Sequence, residues 1–114
     1  MVRIKRVYDK PERTDGYRIL VDRLWPRGLK KENAAIDLWL KEVAPSDLLR
    51  KSFGHDPQRW PDFQRRYRQE LMGSAALGQL KQEIGEHGDV TLVYAARDTE
   101  RNNAVVLRDM LRRI

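Results

Sequence analysis

The chain has 114 residues, 40% of them hydrophobic, and 23 Lys and Arg against 17 Asp and Glu give it a formal net charge of +6. That length suits one hydrophobic core and is too short for two, and the apolar content with three tryptophans excludes a disordered chain. The absence of cysteine excludes disulfides, thiolate catalysis and cysteine-ligated zinc.

The first segment, Val2–Tyr8, alternates apolar Val2, Ile4 and Tyr8 with Arg3, Lys5 and Arg6, the pattern of a half-buried strand. A loop with Pro11 and the Asp15-Gly16 pair follows. Arg18–Val21 reads as a second strand, and its continuous Ile19-Leu20-Val21 run suits a strand covered on both faces. Leu29–Asn33 is a polar connector. Ile36, Trp39, Leu40 and Val43 then fall at i, i+3, i+4 and i+7, which predicts a helix stopped by Pro45.

Ser46 is a good N-cap for a short helix carrying Leu48, Leu49 and Phe53, with Gly54 as its C-terminal cap. Asp56-Pro57 opens another helical turn. From Trp60, an apolar face through Phe63, Tyr67 and Leu71 predicts a longer helix. Gly73-Ser74 separates it from a weaker helix bearing Leu77, Leu80 and Ile84. Val90–Tyr94 is the third strand. Asp98 or Thr99 can cap the last helix, whose buried stripe takes Val106 or Leu107, Met110, Leu111 and Ile114.

This order implies an α/β fold: a single domain over residues 1–114 with a small, mostly parallel sheet of about three strands flanked by about five helices. The long stretch between the second and third strands allows the crossover that parallel pairing requires. The first connection is short, so spacing alone leaves the first strand open to either direction.

If the second and third strands are parallel, Asp22-Arg23 and Arg97-Asp98 share the carboxyl edge of the sheet, where open α/β sheets place ligands. The N-terminus of the last helix points there too and favours anions. The residues singled out for this edge are Asp22, Arg23, Trp25, Arg27, Arg97, Asp98 and Asn102. Guanidinium forks bind phosphate or carboxylate in bidentate fashion.

Each residue has a plainer use. Arg23 can pair internally with Asp22 or Asp98. Trp25 can stack on a ligand ring or simply lid the sheet edge. Asp22 can act as a base or order an arginine. Asn102 and Asn103 can read a ligand or cap the helix. Tyr8, Tyr17 and Tyr94 lie at strand ends with hydroxyls to contribute. His55-Asp56 reads as a surface turn, and Arg65, Arg66 and Arg68 as a solvated helix face beside Asp62 and Glu70.

Phosphate-binding glycine loops and nucleophile elbows are absent, and no catalytic residue is assigned. His55 and His87 have no partner at ligand spacing, so neither a metal nor a cofactor is expected. The expected partner is a small anionic ligand. The alternative is a nucleic-acid-binding or regulatory module using the basic surface. No signal peptide and no run of roughly 20 apolar residues is present. The expectation is therefore a cytoplasmic protein with no membrane partner.

Five segments carry a family resemblance: Arg-Val-Tyr-Asp (6–9), Gly-Tyr-Arg-Ile-Leu-Val-Asp-Arg-Leu-Trp-Pro-Arg-Gly (16–28), Ala-Pro-Ser (44–46), Phe-Gly-His-Asp (53–56) and Val-Thr-Leu-Val-Tyr-Ala-Ala-Arg-Asp (90–98). Asn102 and Ala104 extend it. The chain resembles the YeaO-like group of uncharacterised bacterial proteins, within a broader superfamily of domains of unknown function, over nearly its whole length. Longer members of that superfamily are similar at the Val-Asp-Arg…Pro segment and carry a helix between the first two strands, which implies a parallel first strand here. They also carry a cysteine motif after the final strand. Here the matching turn is Ala95-Ala96-Arg97-Asp98, so no thiol or metal role transfers. Many close relatives carry histidine where this chain has Asn103.

Overall fold

Val90–Tyr94 forms the central strand, β4, and all five of its residues are buried. In the computed structural model, which describes residues 1–112, β4 pairs in parallel with β1 (Val2–Arg6) on one side and β2 (Tyr17–Leu20) on the other. A two-residue strand, β3 (Leu38–Trp39), extends β2, again in parallel. The order is β1-β4-β2-β3. Both flanking strands therefore run with β4, and the first strand is parallel as the family resemblance implied. The helices are α1 (Lys31–Ala34), α2 (Asp47–Phe53), α3 (Trp60–Leu71), α4 (Ala75–His87) and α5 (Asn103–Arg112).

Strand alternation divides the apolar side chains between two faces. Ile19, Val21, Leu92 and Tyr94 join Phe53, Phe63, Tyr67, Leu80 and Leu107 in the larger core, covered by the helices. Leu20 and Val93 join Val7 in a smaller cluster on the other face, under Trp25, Leu29 and Ile36. Ile19, Leu20 and Val21 are thus all fully buried, which explains the unbroken apolar run.

Beside the smaller cluster lies a buried ionic group. Arg18, 3% exposed, donates to Asp15 Oδ2 at 2.6 Å, and Lys5 Nζ reaches Asp15 Oδ1 at 3.2 Å and Glu12 at 2.8 Å. Burial alone would push the Asp15 carboxyl up. The Glu12 N–H, Lys5 and Arg18 overcome that and hold it below its ordinary value.

The helix ends follow their capping residues. The Ser46 hydroxyl accepts from the Leu49 N–H, and Gly54 closes α2 in the left-handed region. Ser74 caps α4 in the same way.

The structure corrects four expectations. Residues 36–43 do not form a helix: they supply β3 and then a 3-10 turn, Lys41–Val43. Their helical spacing is coincidental, since Ile36 packs on the small face while Leu40 and Val43 enter the large core. The sheet consequently has four strands. The cap of α5 is Asn102, whose Oδ1 accepts from the Val105 N–H at 3.0 Å, while Asp98 serves the preceding turn. Tyr17 opens β2 at the opposite edge, where its ring stacks on His87. Ile114, assigned to the stripe of α5, lies outside the described residues. Among the described residues, no helix is long and apolar enough to cross a membrane.

Gly16, at φ +67° and ψ −139°, leads into β2, and a Cβ there would overlap the Asp89 carbonyl oxygen, which accepts from Tyr17 N. Gly16→Ala is expected to cost about 3 kcal/mol or more, from backbone strain and overpacking together. Gly28→Ala, also at positive φ but with nothing near its Cβ, is expected to cost about 1 kcal/mol. Chemical denaturation of the two variants checks the contrast.

Candidate functional site

Parallel pairing on both sides of β4 brings the carboxyl ends of three strands to one edge. The segments leaving them, with the entrance of α2, enclose a cleft of about 760 Å3, within the range usual for ligand pockets. The turn after β2 (residues 21–28) forms one wall, and Ala95–Asp98 and the start of α5 form another. Ala44, Pro45, Arg50 and His55 close the third side.

The arginines at this edge divide into two kinds. Arg23 donates from Nη2 to the Ala44 carbonyl at 3.2 Å and from Nε to the Pro45 carbonyl at 3.4 Å. Arg6 does the same to Ala95 and Ala96, at 3.2 and 3.0 Å. Both hold walls of the cleft. Arg27 and Arg97, by contrast, are exposed and line the cleft, and among the described residues neither guanidinium has a hydrogen-bond or ion-pair partner. A smaller hollow of about 420 Å3 shares Tyr8, Arg27, Ala95 and Arg97 with it. The Tyr8 hydroxyl donates to the Arg27 carbonyl at 2.8 Å, which fixes the backbone that carries this arginine.

Asp22 is a junction. Its Oδ2 accepts from the Ala95 N–H at 2.8 Å and its Oδ1 from Asn103 Nδ2 at 3.1 Å, so one carboxylate ties the ends of β2 and β4 to α5. Its own carbonyl accepts from Trp39 Nε1 at 2.7 Å. Burial pushes the Asp22 carboxyl above its ordinary value. The two donors, and positive charge on His55, offset that only in part.

Six of the seven residues singled out in the sequence line this cleft: Asp22, Arg23, Trp25, Arg27, Arg97 and Asp98. Trp25 is a wall: its Nε1 donates to the Leu29 carbonyl at 2.6 Å, and its ring meets Trp39 edge-on at 5.6 Å. The Asp98 carboxylate accepts from the N–H groups of Glu100 and Arg101 and pairs with Arg101 at 3.3 Å.

Asn102 stands apart. It is 3% exposed, with Nδ2 donating to the Asp98 carbonyl at 2.9 Å and Oδ1 capping α5. The neighbouring amide, Asn103, faces the cleft instead and also donates to the Val21 carbonyl.

Two further lining residues carried no clear sequence signal. His55 follows Gly54 with both in the left-handed region, and that double turn delivers it to the rim. Asp56 does not pair with it. Its carboxylate accepts from Gln58 N and meets Arg59. Arg50 reaches the cleft from α2, tethered to Asp47 at 3.5 Å.

The profile of the family DUF488-N3i, described as the inactive DUF488-N3 subclade, matches residues 1–114. The chain is 46% identical over 111 residues to the uncharacterized protein YeaO of Escherichia coli (strain K12), covering 97% of this chain and 96% of that one. It is 44% identical over 110 residues to the uncharacterized protein Rv3073c of Mycobacterium tuberculosis, covering 96% and 92%. No solved structure matches the chain significantly.

The raised Asp22 carboxyl sets a sign for stability against pH. A folded-state value above the unfolded one means that the protonated group favours folding. That contribution is complete below the unfolded value and is lost as pH rises through the folded one. The melting temperature of the wild type minus that of Asp22→Asn is therefore expected to grow as pH falls from 7 towards 4. Thermal unfolding of both proteins across that range measures it. A constant difference contradicts the assignment.

Proposed function

The chain belongs to the DUF488-N3i family, described as an inactive subclade, and from that premise we propose that it is a recognition domain. Its cleft at the carboxyl edge of the sheet binds a small phosphate- or carboxylate-bearing ligand. The observation that carries this reading is the pair of free guanidiniums, Arg27 and Arg97, set on two different strand-end turns around one cleft.

A guanidinium fork matches the oxygens of phosphate or carboxylate in shape as well as charge. Arg23 adds positive charge from the wall while its fork holds Ala44 and Pro45. The nearest approach to acid–base machinery is Asp22, and its oxygens are held by an amide N–H and an asparagine. With no cysteine in the chain, this donor set supports binding over turnover.

The net charge of +6 supports the second reading, a nucleic-acid-binding or regulatory module. The basic helix face gives that reading less: Arg65 and Arg66 both pair with Asp62, at 2.5 and 3.1 Å.

Titration calorimetry with inorganic phosphate tests the primary reading. Arg27→Ala and Arg97→Ala are each expected to weaken binding roughly tenfold, the scale of one charge-assisted hydrogen bond, while Arg65→Ala leaves it unchanged. Absence of phosphate binding, or equal affinity in all four proteins, overturns it. Affinity for single-stranded or duplex oligonucleotides that falls about 10³-fold between 50 and 200 mM salt would favour the second reading.

A further inference from the structure

The cleft that holds the two free guanidiniums also holds a carboxylate with no ion-pair partner among the described residues. Asp15 and Asp22 make an instructive pair. Asp15, withdrawn from solvent, is held by Lys5 and Arg18, so its charge is neutralised where it sits. Asp22, partly buried, has only neutral donors: the Ala95 N–H and the Asn103 amide. No ion pair reaches it among the described residues, and the adjacent Arg23 turns its fork to the Ala44 and Pro45 carbonyls.

Withdrawing a carboxylate from water without a counter-charge is costly. A neutral side chain ties two strand ends together without that cost. His55, in the same lining, offsets the charge only in part, which leaves a place for a cationic partner from outside the chain.

The stereochemistry shows what kind of partner fits. An ionised carboxylate has about four acceptor positions, two on each oxygen. Ala95 occupies one on Oδ2 and Asn103 one on Oδ1. One position on each oxygen is left, the arrangement that accepts a forked pair of N–H donors. Asp22 lines the cleft together with Arg27 and Arg97, so the space has a basic rim and an acidic point on its lining. The same lining includes Leu24, 64% exposed, and Ala96, which offer apolar contact to a connecting chain.

We infer that the ligand is two-ended: an anionic group held by Arg27 and Arg97, joined by a short apolar linker to a cationic N–H donor head, guanidinium or amidinium in type, that seats on the free positions of the Asp22 carboxylate. This inference rests on the anion-binding reading and adds the identity of the second end. It distinguishes the cleft from a general phosphate site, because a simple anion satisfies the arginines and leaves Asp22 unbalanced.

The test uses ω-guanidino acids from guanidinoacetate to 6-guanidinohexanoate, each compared with the plain carboxylic acid of the same length. Inorganic phosphate is titrated in parallel. At one length or more, the guanidino acid is expected to bind the wild type at least about tenfold more tightly than its plain counterpart. Asp22→Asn is expected to erase that difference and to bind phosphate at least as tightly as the wild type, since a negative charge leaves the cleft.

Equal affinities at every length, with phosphate still bound, overturn the two-ended ligand and leave the anion site standing. A preference that survives in Asp22→Asn also overturns it, because the head then sits elsewhere. Failure of phosphate and of every acid to bind overturns both readings. If Asp22→Asn does not fold, the wild type decides by comparison with the ω-ureido acids, which keep the shape and lose the positive charge. Equal binding of ureido and guanidino acids overturns the inference.

Discussion

Three guanidinium forks hold this fold's loops in place, and all three work in the same way. Arg6, Arg18 and Arg23 each donate from Nη2 and Nε to two consecutive backbone carbonyls: Ala95 and Ala96, Ala34 and Ala35, Ala44 and Pro45. Carbonyls at the ends of short helices and strands have no ladder partner, and burying them unpaired is costly. A planar fork satisfies two at once, and hydrogen bonds to a charged donor contribute roughly 1.5–3 kcal/mol each. The anchors of these forks lie in β1, in β2 and just beyond β2: Arg6 and Arg23 tie the sheet to loops at its carboxyl edge, and Arg18 ties it to the segment that enters β3 at the opposite edge. Two of the three clamps hold opposite walls of the cleft. Its shape thus depends on arginine as well as on the hydrophobic core.

That use of arginine changes what the net charge means. Several cations that make the chain basic act inside the structure, where their forks are already occupied. Arg27 and Arg97 acquire significance against that background, since a guanidinium without a partner is conspicuous where its neighbours are committed. The contrast between Asp15 and Asp22 works in the same way. In each comparison the side chains are chemically identical, and only the partners that the fold brings to them separate the committed groups from the unpartnered ones.

The same logic explains what could be read in advance. The continuous Ile19–Val21 and Val90–Tyr94 runs mark two buried strands, and the long chain between them leaves room for the crossover that parallel pairing needs. Parallel pairing was the expectation from that spacing, and the shared edge of Asp22 and Arg97 follows from the pairing. Helix α3 was legible because Trp60, Phe63, Tyr67 and Leu71 keep one period over three turns. Partner choice was not legible. Arg23 clamps a loop that enters the site from beyond β3, a contact that no local pattern encodes. Asn102 and Asn103 are adjacent identical residues, and the roughly 100° step between successive helical positions decides that one caps α5 while the other orients Asp22. Two residues of strand carry too little periodicity to outweigh an accidental helical spacing, so β3 was hidden.

The hidden strand bears directly on the site. Trp39 in β3 donates its indole N–H to the Asp22 carbonyl and presents its edge to Trp25. Lys41 lies over the Trp39 ring at 5.3 Å, covering a side chain that remains 36% exposed. The turn after β2 is therefore braced from the sheet's outer edge through Trp39, from the end of β4 and from α5 through the Asp22 carboxylate, and from the segment after β1 through Tyr8. Each brace removes freedom from the backbone that carries Arg27 before any ligand arrives. A site held this way loses little entropy on binding. Such a frame is what the proposed recognition role calls for, because the backbone that carries Arg27 is fixed while its guanidinium stays unpartnered.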